Sequence, residues 1–232
     1  MKDKSQLRLW TYAIIMGAVV FLVSALYLWA RRWGMPLEDV AFKLSFAGLA
    51  VAGMTLLSLS FLLGPLARFW PNTFVKHLPL RKQYGIVGYF IIMAHVVWGL
   101  ATFSPAIFPK FFSDGSLKAT TIMLLLFGVV AFVLFSIVAF TSIPKIAQQM
   151  SPKIWKSTQR IGYLALFLAL IHFSVVKYKG WLNIDGWPYL PDTIPFLSLV
   201  PLPPLSLILF LFIVFVFVMR VMAMLFPRAE NA

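Results

Sequence analysis

The sequence predicts an all-α integral membrane protein, a bundle of six transmembrane helices with both termini in the cytoplasm. Two observations predict the class: 61% of the 232 residues are hydrophobic, and the mean hydropathy is +0.90, both well above soluble domains. The number of apolar stretches that can span a core of about 30 Å gives the helix count. We expect one domain over 1–232, with spans near 8–30, 40–63, 84–104, 119–141, 159–177 and 205–226.

The first span and the last connection each carry a further signal. The first span is too long for the apolar core of a signal peptide and lacks a small-residue cleavage site, so we expect a retained signal anchor. The last connection, Lys177–Pro204, is the longest, and its prolines exclude a regular helix through 201–204. Its Trp181, Trp187 and Tyr189 are expected at the level of the lipid headgroups, with docking of an outside acceptor as the alternative.

The connections between spans differ in basic charge, which predicts the orientation. One side of the membrane is predicted to hold thirteen of the 20 Lys and Arg residues: Lys2, Lys4, Arg8, Arg68, Lys76, Arg81, Lys82, Lys145, Lys153, Lys156, Arg160, Arg220 and Arg228. The other side holds Arg31, Arg32, Lys43, Lys110, Lys118, Lys177 and Lys179, with the acids Glu38, Asp39, Asp114, Asp185 and Asp192. We therefore expect cytoplasmic termini and a basic collar that attracts anionic lipid rather than nucleic acid.

Several chemistries are excluded by what the sequence lacks. There is no cysteine, hence no disulfide, iron-sulfur cluster or thiolate metal site. No acidic residue falls within a predicted span, whereas ion-coupled carriers usually keep a carboxylate in the membrane. The motifs of phosphate-binding loops, dinucleotide folds and zinc hydrolases are absent. Hydride or nucleotide chemistry would therefore have to come from a partner.

Two histidines, His95 and His172, stand inside predicted spans. Segments three and five are predicted to run parallel, and each histidine lies about 17 Å along its helix, from Tyr84 and from Ile161 respectively. Two imidazoles at matched depth on parallel helices suit the two axial positions of a six-coordinate haem b. A hydrogen bond between helices is the other role of an intramembrane histidine.

Small residues recur at helical spacings from both histidines. They predict a slot for a macrocycle, for which Trp98 is one candidate wall. Close packing of membrane helices is the alternative use of such residues. The candidate slot residues are Gly88 and Gly99 in segment three and Ala165 and Ala169 in segment five.

Two stretches of the sequence resemble a known family. They are "LARFWPNTFVKHLPLRKQYGIVGYFIIMAHVVWG" (66–99) and "AFTSIPKIAQQMSPKIWKSTQRIGYLALFLALIHFSVV" (139–176). They resemble the signature regions of the ferric-reductase-like transmembrane domain, specifically its MsrQ-like bacterial branch. The resemblance implies a six-helix cytochrome b of the bacterial inner membrane that passes electrons from a cytoplasmic flavin system to an outside acceptor. In the MsrQ branch the acceptor is a periplasmic molybdenum enzyme that reduces methionine sulfoxide.

One departure from the family pattern changes the expected cofactor content. The family has a further histidine thirteen residues before the last one, and this chain has Gln159 there. Because glutamine is a poor haem ligand, we expect a single haem and a second carrier, FMN or FAD, in the cytoplasmic half, as in the STEAP reductases. The candidates for binding its phosphate, or an acidic reductase, are Arg68, Arg81, Lys82, Lys156, Arg160 and Gln159. Lys177 and Lys179 are candidate partners of the haem propionates.

Three functional hypotheses remain open at the level of sequence. The first is an electron-transfer subunit, a component of an oxidoreductase system rather than a self-contained enzyme. The second is a haem-bearing subunit of a larger redox or photosynthetic membrane complex. The third is a scaffold that keeps the fold without a cofactor, for which Gln159 is the main evidence.

Overall fold

The computed structural model describes residues 2–189 and 201–226 and is 81% helical. A two-stranded antiparallel hairpin, β1 (Phe112–Ser113) and β2 (Ser116–Leu117), lies between α4 and α5. Short 3-10 turns cover Val75–His77, Pro109–Phe111 and Ile184–Gly186. The helices are α1 (Lys2–Ala30), α2 (Leu37–Phe69), α3 (Pro71–Phe74), α4 (Leu80–Ala101), α5 (Ala119–Phe140), α6 (Pro144–Ala147), α7 (Pro152–Leu182) and α8 (Leu205–Leu225).

The six long helices confirm the predicted number of spans. Each of α1, α2, α4, α5, α7 and α8 is long and apolar enough to cross a membrane, so the chain is a multi-pass membrane protein. Their ends differ most from prediction in α2 and α7, which extend beyond the apolar stretches. In α7 the helix begins at Pro152, where the Ser151 side chain accepts a hydrogen bond from the Ile154 amide, a standard helix start.

The extension of α7 corrects the predicted start of the last connection. Lys177, Lys179 and Trp181 were expected in that connection, yet all three lie in α7, which ends at Leu182. The helix continues past the apolar stretch because its backbone hydrogen bonds are made within the helix and do not depend on apolar side chains. These hydrogen bonds remain intact among polar headgroups. Part of the predicted connection, including Asp192, and the C-terminal Arg228 lie outside the described residues.

The expectation that no acid falls within a span also needs correction. Because α2 begins at Leu37, Glu38 and Asp39 lie in its first turn. Carboxylates are stabilised there by the positive end of the helix dipole. They sit at the end of the helix, away from the middle of the bundle.

The two ends of the bundle are defined by contacts with α8. At one end, the Tyr27 hydroxyl donates to the Pro203 carbonyl at 2.7 Å, which joins the end of α1 to the segment before α8. At the other end, Arg68 donates to the Phe226 carbonyl at 3.1 Å, which joins the end of α2 to the end of α8. We call the end with Phe226 the terminal side and the end with Pro203 the distal side.

The bundle is built on two closely packed helix pairs. Helix α2 packs most extensively on α4 and also contacts α1 and α8, while α5 packs on α7. At the α2–α4 crossing, a methyl group on Gly88 would lie 2.9 Å from the Gly53 carbonyl oxygen and 2.9 Å from the Leu57 nitrogen. Backbone therefore meets backbone there, as small residues allow in membranes. The main core lies between the pairs and includes Phe61 and Leu166.

Replacing Gly88 with alanine is expected to push α2 and α4 apart. The new methyl group would meet backbone atoms of α2, which cannot move aside by changing a side-chain rotamer. Overpacking of this kind costs about 1–3 kcal/mol. The thermal unfolding midpoint in detergent should fall relative to the unmutated protein.

The matched control is Gly180→Ala in α7, where an added methyl group meets nothing within 4 Å. Alanine is favoured over glycine in a helix, by up to about 1 kcal/mol, so this variant should be as stable or slightly more stable. Equal midpoints for the two variants would contradict the backbone contact at Gly88.

Candidate functional site

Both intramembrane histidines are held in the same way. The Nδ1 atom of His95 lies 3.0 Å from the Phe46 carbonyl oxygen, and the Nδ1 atom of His172 lies 2.8 Å from the Leu124 carbonyl oxygen. A carbonyl oxygen only accepts hydrogen bonds, so Nδ1 must carry the proton in both rings. The neutral imidazole then leaves Nε2 unprotonated, with a lone pair for another partner.

The helix pairing explains this arrangement. His95 on α4 bonds to α2, the helix on which α4 packs, and His172 on α7 bonds to α5. The two helices that carry the histidines have few contacts with each other. Each ring is therefore fixed by the helix of its own pair.

Two residues that the sequence analysis missed shape the surroundings of these rings. A methyl group on Gly128 of α5 would lie 2.9 Å from Nδ1 of His172, so only glycine lets that ring reach the backbone of α5. The Phe46 ring lies 4.1 Å from the His95 ring, centroid to centroid. A glycine in an apolar helix four residues after Leu124 was the available signal, but sequence alone did not show which helix faces His172.

The predicted slot residues occupy different places. Gly88 lies at the α2–α4 crossing, and Gly99 lies against the Phe46 ring, 3.1 Å from the position of an added methyl group. Ala165 and Ala169 are buried in the main core between the pairs. Trp98 is 38% exposed and packs edge-on against Phe42. The alanines thus face the core, whereas Gly88 serves helix packing.

No three side chains of the His, Cys, Asp and Glu types come together anywhere in the described ranges. His77, the third histidine, lies in the turn after α3, where its ring is 6.4 Å from that of Phe74. The intramembrane site therefore offers two imidazoles rather than a three-ligand metal cluster.

A cavity of about 660 Å³ opens on the terminal side of the bundle. It gathers most of the residues that the sequence analysis proposed for binding an anionic cofactor: Arg81, Lys82, Lys156, Gln159 and Arg160 all line it. Arg220 lines it too, with its guanidinium 5.2 Å from the Tyr163 ring. Arg68 does not line the cavity and instead bonds to Phe226. No acidic residue is among the lining side chains, so the cavity favours anions.

Pro65 of α2 changes the hydrogen bonding of the backbone at one wall of this cavity. Pro65 has no amide hydrogen, so the Phe61 carbonyl four residues earlier loses its helical partner. The Tyr163 hydroxyl donates to that carbonyl at 3.4 Å, and the Arg81 Nε donates to the neighbouring Ser60 carbonyl at 3.1 Å. The Gly64–Pro65 pair in an apolar stretch was the signal in the sequence. A proline in a membrane helix leaves a backbone carbonyl without its helical donor, and that carbonyl needs a hydrogen-bond partner from outside the helix.

Gln159 occupies the position where the resembled family has a histidine. Its Nε2 donates to the Val138 carbonyl at 3.3 Å and contacts the hydroxyls of Thr141 and Ser142 at 3.3 and 3.2 Å. The indole of Trp155 donates to the Thr141 carbonyl at 3.2 Å. These bonds fasten α7 to the end of α5, so Gln159 acts as a structural donor at the cavity wall.

A second basic cluster lies on the distal side. The side chains of Lys110 and Lys177 lie close to each other, and Arg31 and Arg32 are close enough to act on Lys177 electrostatically. Lys110 keeps exposed surface, but the protein atoms around it desolvate the ammonium and lower its pKa. Burial also lowers the pKa of Arg31 and of Arg32.

This distal cluster includes one of the two lysines predicted to bind propionates. Lys177 belongs to it, whereas Lys179 lies exposed in the last turn of α7. The Nε atom of Arg31 is buried without a hydrogen-bond partner among the described residues. Four cations that converge from α1, the α4–α5 connection and α7 make a place where an anionic group is stabilised.

The architecture defines a class of protein: a multi-pass membrane protein with two intramembrane histidines, each bonded to a backbone carbonyl of a neighbouring helix. The family model described as "Ferric reductase like transmembrane component" matches residues 49–170, just over half of the chain. The chain therefore belongs to the ferric-reductase-like transmembrane family, whose members are membrane electron-transfer components. The match includes His95 and Gln159 and ends two residues before His172. No curated protein matches the chain.

The bonds of Gln159 lead to a stability prediction. Replacing Gln159 with leucine removes a donor to three acceptors, all of which keep other hydrogen bonds, so the unfolding free energy should fall by about 1 kcal/mol. Chemical unfolding in detergent measures this. The control is Thr158→Val, because the Thr158 hydroxyl bonds only to Ile154 one turn earlier in the same helix. Equal losses in the two variants would argue against the α5–α7 link.

Proposed function

We propose that this protein is a membrane cytochrome b-type electron-transfer subunit that holds one haem b between His95 and His172. The observation that carries the proposal is the pair of Nδ1 bonds to backbone carbonyls. Metal-binding histidines typically donate one ring nitrogen to a carbonyl, which fixes the ring and leaves the other nitrogen for the metal. A bound haem supplies one-electron redox chemistry.

The surroundings of the two rings fit such a group. Ala165 and Ala169 place small side chains on the face of α7 that lies in the main core, beside Leu166 and Leu170. The carboxylates of a haem between the two rings would meet the distal basic cluster, with Lys177 five residues beyond His172. We assign Lys177 the role of holding the propionates, because it belongs to the distal basic cluster. Lys179, the other candidate, is not among the charged groups that act on Lys177 and is given no part in holding them.

A flavin, FMN or FAD, is proposed for the terminal cavity. A single haem in the distal half leaves most of a core about 30 Å thick without a redox centre, and electron tunnelling slows steeply over such distances. The cavity has about 660 Å³ and a wholly basic set of charged lining residues, as a phosphate-bearing cofactor requires. In this proposal Lys156 and Arg160 bind the phosphate, and Gln159 borders the ring system.

The donors and acceptors follow from the orientation. We place the terminal side in the cytoplasm of a bacterial cell, with the chain in the inner membrane, because most basic connections lie on that side. A cytoplasmic flavin reductase supplies electrons there. The resemblance to the MsrQ-like branch makes a periplasmic methionine sulfoxide reductase the proposed acceptor, with a larger redox complex as the alternative partner.

Replacing His95 or His172 with alanine should abolish the low-spin haem bands, because an axial ligand is lost in each case. His77→Ala should leave the bands unchanged, since His77 lies outside the site. The measurement is a dithionite-reduced minus oxidised absorption spectrum of purified protein, with haem quantified per chain. An unchanged spectrum in either intramembrane variant would refute the ligand pair, and an unmutated protein that never takes up haem would favour the scaffold hypothesis.

The flavin site is tested separately by titrating purified protein with FMN and FAD and following the quenching of flavin fluorescence. Lys156→Glu and Arg160→Glu should each weaken binding by roughly 10-fold or more, because a charge-assisted hydrogen bond contributes about 1.5–3 kcal/mol. Arg68→Glu is the control, since Arg68 carries the same charge on the terminal side but lies outside the cavity. Equal effects of all three substitutions would indicate only general attraction of anions.

A further inference from the structure

A row of packed aromatic rings leads from His95 to the α4–α5 connection on the distal side. The His95 ring lies 4.1 Å from Phe46, whose ring lies 5.6 Å from Phe108. The Phe108 ring contacts Phe103 at 5.7 Å and Phe111 at 6.0 Å. Phe108 and Phe111 lie between α4 and β1. We call Phe46, Phe108, Phe103 and Phe111 the aromatic row.

The connection that carries the far end of this row is firmly held. The Lys118 ammonium donates to the Lys110 carbonyl at 2.9 Å, and the Thr121 hydroxyl donates to the Phe111 carbonyl at 3.0 Å. The Lys118 amide also bonds to the Phe111 carbonyl. These bonds fix the last ring of the row against the start of α5, so the row is a continuous packed path and not a chance contact of mobile side chains.

The surface around this path is basic. Lys110 lies over the Phe111 ring at 5.0 Å, and Lys118 lies beside it. Lys177 of the distal cluster adjoins Lys110, and Arg31 and Arg32 lie near Lys177. The hairpin turn holds one acid, Asp114, which accepts a hydrogen bond from the Ser113 hydroxyl. The positive charges therefore outnumber the negative ones on this face.

We propose that the α4–α5 connection is the docking surface for an acceptor protein with an acidic patch, and that electrons leave His95 through the aromatic row. This rests on the proposed function. In each transfer one electron passes from ferrous haem to the oxidised metal centre of the acceptor; the iron becomes ferric, the acceptor metal is reduced by one, and no bond or proton changes. Complementary charge steers the partner and sets its register over the far, partly exposed end of the row.

The other aromatic group on the distal side lacks such a path. The Trp181 ring packs on Phe210 at 4.9 Å and on Phe173 at 6.4 Å, and the Trp187 indole bonds to the Gly180 carbonyl. Within the described residues no ring contact joins this group to His172. The α4–α5 connection is thus favoured over the connection after α7, which the sequence analysis named as an alternative docking place.

The test uses full-length, haem-loaded protein in nanodiscs and two probes of opposite charge: an acidic blue-copper protein and the basic cytochrome c. Binding is measured without electron transfer, and reoxidation of dithionite-reduced protein is followed by stopped flow. The variants are the pair Lys110→Glu with Lys118→Glu, and Phe108→Leu. The matched controls on the α7 side are Lys179→Glu and Tyr189→Leu. The haem spectrum of each variant reports whether the fold and the ligands are intact.

The acidic probe should bind the unmutated protein more tightly than the basic one, in a salt-sensitive manner. The double charge reversal should weaken its binding and slow reoxidation by roughly 10-fold or more, while Phe108→Leu should slow reoxidation at saturating probe without changing binding. Both controls should behave as the unmutated protein.

Intact haem bands with reoxidation indifferent to Phe108 and to the two lysines would overturn the docking surface and the exit route. Equal effects of Lys179→Glu and the α4–α5 reversal would overturn it as well. A lack of low-spin haem in the unmutated protein would overturn the proposed function, and the exit route with it.

Discussion

The close packing of the two helices within each pair is the constraint on which the rest of this structure depends. Gly53 and Gly88 bring α2 and α4 together, and Gly128 lets the ring of His172 reach the backbone of α5. Once the pairs are this tight, a carbonyl of the neighbouring helix comes within hydrogen-bonding distance of each imidazole. The protonation state and the orientation of both rings thus follow from helix packing.

Much of the architecture was predictable because it depends on local chemistry. The six spans follow from apolar stretches of sufficient length. His95 and His172 are conspicuous because an ionisable side chain within a membrane span is energetically costly and usually has a function. Four of the candidate basic residues, which were chosen by charge, line the terminal cavity together with Arg220, which was not among the candidates. Arg68 lies outside the cavity, because charge and sequence position do not show which way a side chain turns at the end of a helix.

The unpredicted features depend on which helices face each other. Phe46 and Leu124 hold the histidines through backbone carbonyls, which every residue possesses, so no side-chain pattern marks them. Gly88 was assigned to a slot because its spacing from His95 is helical, but the helix that packs over it is α2. Lys177 was placed in a loop because hydropathy falls there, although the helix continues through it. Each of these outcomes is decided by tertiary packing.

The break in α2 at Pro65 has an electrochemical consequence. The freed carbonyl of Phe61 bonds to Tyr163, and the neighbouring Ser60 carbonyl bonds to Arg81, yet a carbonyl dipole leaves the full charge of a guanidinium uncompensated. The charged side chains that line the terminal cavity are all cations, so its interior has a positive electrostatic potential that water screens only in part. A positive potential stabilises the electron-rich form of any guest, which raises its midpoint potential. The terminal cavity therefore favours the reduced form of any redox group that binds there.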